Sequence, residues 1–506
     1  MGCCETSVEG EYQHVEIGAM PQMDTDEAMQ ALDSAKEAWS GGSGTWPQMS
    51  MSDRIRCVED LLDKLSVVRE EIVNLLMWEI GKNYDDAQAE FDRTVLFVRQ
   101  LIDALKERDD LHGSWVDVKG TKAFVRRAAI GIIMCLGPFN YPLNETYATL
   151  IPALLMGNVV LLKIPTVGGL VHLLTMQAFS EALPPGVINF VSGRGRATMP
   201  PLMATGDIDG LAFIGGSNAA DDLIKTHPEP HRLKLFLQLE AKNMGIFLPS
   251  LFENDNEEKL NSAVKQAVTG AFSYNGQRCT ALKIMFVPRK YSDVFAEKFV
   301  KAVEDLNVGL PWKKSFENGK YSMITPLPNA KRVSYMKELI EDALEKGAVI
   351  INSAGGSLVG GESSTLMVPT ILANVNESMR IFDEEQFGPI SPIVPYDDIE
   401  TIRAYAREGK YGQQEAIFTA DGGEDASELL DKFSSIFGKI NINSQCGRSP
   451  DTLPFSGRRS SAMGVMSVVD ALKEFSVPTV IAYKGHDENG IVKSIEEDSV
   501  FMQSVV

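Results

Sequence analysis

Positive charge is what this 506-residue sequence lacks most: 48 Lys and Arg stand against 69 Asp and Glu, a formal balance of −21. A surface of that sign repels a phosphate backbone, which argues against a nucleic-acid partner. Cysteine is scarce as well. Six in a chain of this length (3, 4, 57, 135, 279 and 446) make no disulfide framework and point to a reducing, cytoplasmic setting. The six histidines form no HExxH pair and there is no CxxC, so no metal site is expected. Long apolar runs are missing too: Leu150–Leu162 is broken by Pro152, Gly157 and Asn158 and is too short to cross a bilayer. The first twenty residues lack the basic region and apolar core of a secretory signal. What remains, 44% hydrophobic and 23% charged, is an ordinary globular composition. The length exceeds the roughly 250–300 residues at which a single core stops growing, so more than one domain is expected.

The N-terminus does carry Met1-Gly2-Cys3-Cys4-Glu5-Thr6, which fits the M-G-x-x-x-[ST] myristoylation pattern at Gly2. One myristoyl chain binds a membrane only marginally, so a second acyl chain on Cys3 or Cys4 would supply the second signal. The expectation is a flexible, lipidated tail over residues 1–22, anchoring the chain at the cytosolic face of a membrane.

Asp24 with Glu27 reads as a capping box, followed by Ala28, Leu32, Ala35 and Trp39 at helical spacing. A long helical region follows over 52–105, interrupted near Gly81. From Ile130 the pattern becomes short apolar strands alternating with helices: strands at Val159–Lys163, Val187–Val191, Gly210–Ile214 and Lys234–Leu239, with helices between them. Crossovers of this length demand parallel strands covered on both faces, so the fold class is α/β with two αβ domains. The Gly193–Thr198 stretch begins like a GxGxxG fingerprint but lacks its third glycine. Gly215-Gly216-Ser217, ending a strand and opening a helix, is the better seat for a pyrophosphate, although the same glycines would equally serve a tight turn.

Two segments carry chemistry. Cys279 lies in the polar loop Phe272–Thr280, where the neighbouring Arg278 would lower a thiol's pKa. Pro138-Phe139-Asn140-Tyr141-Pro142 follows a strand and is locked by two prolines, so the Asn140 amide is fixed where an oxyanion would need a donor.

These segments, with Glu384–Pro389 and Asn443 through Arg448 to Gly457, resemble the aldehyde dehydrogenase superfamily over residues 25–485. They are most similar to its non-phosphorylating glyceraldehyde-3-phosphate dehydrogenases. The resemblance implies that Cys279 attacks the aldehyde carbon while Asn140 and the Cys279 N–H hold the oxyanion. It puts Lys163 and Glu385 at the cofactor's ribose hydroxyls, Phe387 at the nicotinamide, and Thr166 at a 2′-phosphate, favouring NADP over NAD. It makes Arg278 and Arg448, then Arg93 and Tyr141, contacts for a phosphorylated aldehyde. It implies a dinucleotide-binding domain over 23–245 and a catalytic domain over 246–472. A bridging hairpin near 113–130 and an oligomerisation strand over 473–487 would build a homotetramer, and 488–506 would be a tail.

One block departs from the family. Where its general base is a Glu in Leu-Glu-Leu-Gly-Gly-Lys, this chain reads Leu237-Gln238-Leu239-Glu240-Ala241-Lys242. A neutral Gln238 cannot take a proton from the deacylating water, whereas Glu240, two residues on and on the same strand face, could reach the cavity. Asp221 adds a negative charge in the helix after Gly215–Ser217. Two alternatives stand beside a slow dehydrogenase. One is a coenzyme-A-acylating enzyme, which Ala241-Lys242-Asn243 resembles; the other is a lipid-anchored binding protein without catalysis.

Overall fold

The structure, a computed structural model, describes residues 4–8, 11–253, 256–316, 318–421, 423–485, 487, 490–503 and 505. The capping box forms: the Glu27 N–H donates to Asp24 Oδ1 and the Asp24 N–H to Glu27 Oε2, both at 3.0 Å, opening the helix Thr25–Trp39. The expected helical region becomes Met51–Val67, Arg69–Ile80 and Tyr84–Glu107, with Gly81 breaking it at φ +67°.

The strand–helix alternation closes into a six-stranded sheet. Its order is Ala462–Met463, Lys234–Gln238, Gly210–Ile214, Ile132–Leu136, Val159–Lys163, Ile188–Val191. Every pair is parallel except the Ala462–Met463 edge. From Ile132–Leu136 the chain winds outward one way through Val159–Lys163 and then the other way through Gly210–Ile214. The crevice at such a switch point lies outside the carboxyl ends of its two strands. Here those ends lead into Pro138–Pro142 and into Gly215–Ser217, so topology alone sets the two expected turns side by side.

Four residues, 239–242, carry the chain into a second sheet. Its order is Val349–Ile350, Thr370–Ala373, Ile390–Tyr396, Leu282–Pro288, Asn243–Phe247, Gln414–Phe418, Lys439–Ile442, antiparallel only at the first pair. The boundary between the two αβ units therefore falls before residue 243, not at 245, because Asn243–Phe247 is an interior strand of the second sheet. The Gln238–Lys242 block is thus the bridge between domains.

The ends are more ordered than the sequence suggests. The expected N-terminal tail pairs Cys4–Val8 with Glu11–Val15 as a hairpin. That hairpin docks on the second unit through a 2.9 Å bond from the Tyr12 N–H to the Gly360 carbonyl. Gly2 and Cys3 lie outside the described residues, as does the Cys4 side chain. Ser114–Val118 and Thr121–Ala128 pair as a hairpin, and Val477–Lys484 pairs with Thr121–Ala128 of its own chain along eight residues. The expected C-terminal tail holds the helix Ile491–Asp498 and a short turn, Val500–Met502, whose Met502 is buried. Glu496 accepts from Trp115 Nε1 at 3.0 Å, and Arg126 donates to the Phe501 carbonyl, fastening this segment to the three-stranded sheet. Among the described residues no helix is long and apolar enough to cross a membrane.

Candidate active site

A cavity of about 660 Å³ opens where the two sheets meet and is lined from both. The first unit contributes Pro138, Phe139, Asn140, Glu145, Gly215 and Gly216; the bridge contributes Gln238, Leu239 and Glu240; the second unit contributes Cys279, Arg332, Glu385 and Phe387.

Cys279 is delivered by a backbone that turns sharply after the helix Glu257–Phe272. Tyr274, Asn275 and Gly276 are all left-handed, with φ of +49°, +58° and +68°. Such a run is unfavourable for non-glycine residues and needs outside support. Asn275 supplies it by accepting from the Thr325 N–H at 2.7 Å and donating to Thr325 Oγ1 at 3.1 Å. Gly276 admits no side chain, since a Cβ there would stand 2.7 Å from the Ala271 carbonyl and 2.8 Å from that of Gly388. Asn243 then clamps the loop by donating to the carbonyls of Cys279 (2.7 Å) and Ala281 (3.0 Å). The Asn140 amide, 6% exposed, donates to the Gln277 carbonyl at 2.9 Å, which ties the proline-locked turn to the thiol's loop.

The thiol is not the activated group that the sequence suggests. Burial pushes its pKa from 9.0 up to about 12, Glu145 and Glu385 push the same way, and the opposing pull of Lys283 and of a hydrogen bond with Gln413 does not offset them. Arg278 cannot lower it as expected, because its Nη2 turns back to cap the preceding helix, donating to the carbonyls of Thr269 (3.2 Å) and Gly270 (2.9 Å). Nor does Arg278 line the cavity.

Glu385 lines the cavity and is held there: Lys283 Nζ lies 3.1 Å from its carboxylate and the Ala241 N–H donates to it at 3.0 Å. Lys283 also sits 4.5 Å over the Phe387 ring, which meets Phe139 edge-on at 5.8 Å. Lys163 is buried and donates to the Ile164 carbonyl at 2.5 Å; desolvation pulls its pKa from 10.5 down to about 8. Thr166 lines an adjoining pocket of about 380 Å³ that shares Phe139 and Arg332 with the main cavity and also carries Lys331, with no carboxylate among its lining residues.

The Gly215–Ser217 turn opens the helix Ser217–Thr226, whose first N–H is taken by the protein itself. Both oxygens of Glu240 accept from the Ser217 N–H, at 2.9 and 3.0 Å, and Ser217 Oγ donates at 3.2 Å. The acidic group at this helix end is therefore Glu240; Asp221 is exposed and faces Lys225 at 3.6 Å. Gln238 stands beside it, 4% exposed, with neither amide atom hydrogen-bonded.

Three of the four expected substrate contacts, Arg93, Arg448 and Tyr141, lie behind the cavity wall, while Arg278 is turned onto the preceding helix end. Arg93 is bidentate to Asp451 (2.8 and 2.7 Å), and Arg448 lies 3.0 Å from both Asp451 and Glu145. Tyr141 stacks edge-on against Tyr274, with Lys82 Nζ 3.5 Å over its ring. Of this cluster only Glu145 lines the cavity itself.

A family model described as "Aldehyde dehydrogenase family" matches residues 5–481. The chain belongs to the aldehyde dehydrogenase family. An NADP-dependent glyceraldehyde-3-phosphate dehydrogenase of Streptococcus equinus is 32% identical over 460 residues, 90% of either chain. A lactaldehyde dehydrogenase of Methanocaldococcus jannaschii is 27% identical over 478 residues, 92% of this chain and 95% of that one. Among solved structures, an NADP-dependent glyceraldehyde-3-phosphate dehydrogenase of Bacillus halodurans complexed with NADP superposes with a TM-score of 0.81 at 29% identity. It covers 92% of this chain and 93% of its own.

For an aldehyde dehydrogenase, sequence reasoning missed three residues at this site: Glu145, Lys283 and Arg332. Glu145 is an acid in the first turn of the helix Asn144–Leu155, which local pattern reads as a helix-dipole residue. Lys283 interrupts the apolar strand Leu282–Pro288, and a charge inside a buried strand is itself a signal that a partner is waiting.

Proposed function

We propose that this aldehyde dehydrogenase oxidises a phosphorylated aldehyde, glyceraldehyde 3-phosphate, to 3-phosphoglycerate with NADP. The observation that carries the substrate class is the buried guanidinium of Arg448. Its Nη2 has no acceptor, and its partner Glu145 opens directly onto the cavity of Cys279. A buried donor without an acceptor is costly, and an anionic ligand would satisfy it.

The residues present fit a dinucleotide phosphate. The helix end at Gly216 and Ser217 would offer the Ser217 N–H to a phosphate once Glu240 gives it up, the pKa of Lys163 is drawn down to about 8, and the Thr166 pocket is cationic without a carboxylate. Glu385 and Phe387 would hold the nicotinamide end. When bound, NADP accepts the hydride from the aldehyde carbon.

The Cys279 thiol gives its proton to water in the cavity, Lys283 favouring the thiolate, and the sulfur bonds to the carbonyl carbon as the oxygen takes up the electron pair. The Asn140 amide and the Cys279 N–H receive that oxyanion. Loss of hydride leaves a thioester. Water then bonds to its carbon as the C–S bond breaks, and the water's proton must go to a base. Gln238 cannot accept it; Glu240, on the same cavity wall, can once it leaves Ser217. The exposed apolar residues Val116, Val118 and Val480 on the three-stranded sheet support a homo-oligomer.

Stopped-flow mixing with glyceraldehyde 3-phosphate and NADP is expected to give a burst of one NADPH per Cys279 before slower turnover. Cys279→Ser removes the burst. Glu240→Gln keeps it and slows the steady phase by about 10²–10⁴-fold. No burst with any aldehyde overturns the reading.

A further inference from the structure

Arg448 and Arg93 carry two positive charges, and Asp451 and Glu145 return two negative ones. Asp451 is committed to both arginines, bidentate to Arg93 and 3.0 Å from Arg448 Nε. The Glu145 carboxylate pairs with Arg448, Oε1 to Nη1 at 3.0 Å, and Glu145 is the one member of the cluster that reaches the thiol's cavity. Its backbone is fixed, because Glu90 accepts from the N–H groups of Leu143 (3.0 Å) and Asn144 (3.1 Å) and is itself ion-paired with Lys82. The freedom left to Glu145 is its side-chain torsions. A carboxylate that caps a guanidinium at the wall of a cavity, on a pinned backbone, is placed as a removable counter-ion.

We infer that Glu145 is a specificity-determining residue: an internal stand-in for the substrate's anionic tail, which that tail must displace from Arg448 to bind. This inference rests on the phosphorylated-aldehyde reading above. With Glu145 in place the cluster is neutral and presents a negative group to the cavity, so a phosphate meets repulsion before it meets Arg448. With Glu145 neutralised the cluster is left one positive charge in excess. An uncharged aldehyde makes no use of Arg448 and is indifferent to the exchange. Glu145 sets which aldehyde is admitted and takes no part in the bond changes at Cys279.

The test compares kcat/KM for glyceraldehyde 3-phosphate with kcat/KM for unphosphorylated glyceraldehyde in wild type, Glu145→Gln and Glu145→Leu. Taking the ratio cancels any effect of Glu145 on the thiol, which both aldehydes share. The ratio is expected to rise at least about tenfold in Glu145→Gln, chiefly through KM for the phosphorylated aldehyde, and to rise likewise in Glu145→Leu. The near-isosteric Gln variant keeps the result readable if the Leu variant folds poorly. A wild type that oxidises glyceraldehyde 3-phosphate, with a ratio unmoved or lowered in Glu145→Gln, overturns the inference and leaves the substrate reading standing. Turnover of glyceraldehyde alone, in wild type and both variants, overturns both.

Discussion

Lys163 has one backbone carbonyl as its partner and almost no solvent, which is why desolvation brings its pKa down to about 8. Its folded value lies below its ordinary 10.5, so the ammonium is present below pH 8 and is lost as pH rises through it. Anionic ligands favour the ammonium. NADP affinity should therefore fall by about tenfold between pH 7 and 9.5, and Lys163→Met should bind more weakly with a flat profile; fluorescence titration of NADP at each pH measures this. At this scale the sequence was legible where chemistry restricts the residue type. Cys279 and Asn140 sit in one cavity because nucleophile and amide donor have no common substitutes. Arg278 was misread because its direction depends on the helix end behind it, and an unsatisfied helix terminus competes for a guanidinium as well as a ligand does.

Among the elements, the helix Leu170–Ala182 shows how a terminus recruits a partner that sequence neighbours do not supply. Its N–H groups at Gly169 and Leu170 donate to the Glu79 carboxylate, 2.9 and 3.0 Å away, from the end of another helix. Burial nevertheless raises the Glu79 pKa from 4.5 to about 7, outweighing those donors. The folded value is the higher one, so the stability this group contributes is complete below about pH 4.5 and is lost as pH rises through about 7. Glu79→Gln mimics the neutral acid. Its melting temperature minus that of wild type, read by calorimetry, should increase by a few degrees from pH 5 to pH 8. The strands and helices themselves were readable, since apolar runs of five residues between amphipathic stretches have few other solutions. The left-handed run at Tyr274–Gly276 was not, because it is held by Thr325, fifty residues away.

For the molecule as a whole, the ends test the reading most directly. The myristoylation pattern at Gly2 with Cys3 and Cys4 is expected to give an N-terminal peptide carrying one myristoyl and one palmitoyl mass. Gly2→Ala should release the protein from the membrane fraction, as intact-mass spectrometry and fractionation would record. The sequence reads residues 1–22 as a tail because a short hairpin shows no strong periodicity; the Cys4–Val8/Glu11–Val15 hairpin is held by the backbone of Gly360, a partner far along the chain. By itself the sequence determined the α/β class and the order of the elements, and it nominated Cys279 and Asn140, which line one cavity. These follow from local hydrophobic period and from residue chemistry, which are carried along the chain. Only the tertiary structure decided which charges face which: Glu240 on Ser217, Glu145 on Arg448, Lys283 on Glu385. Coulomb energy depends on distance through space and on burial, and neither is written in the spacing of letters.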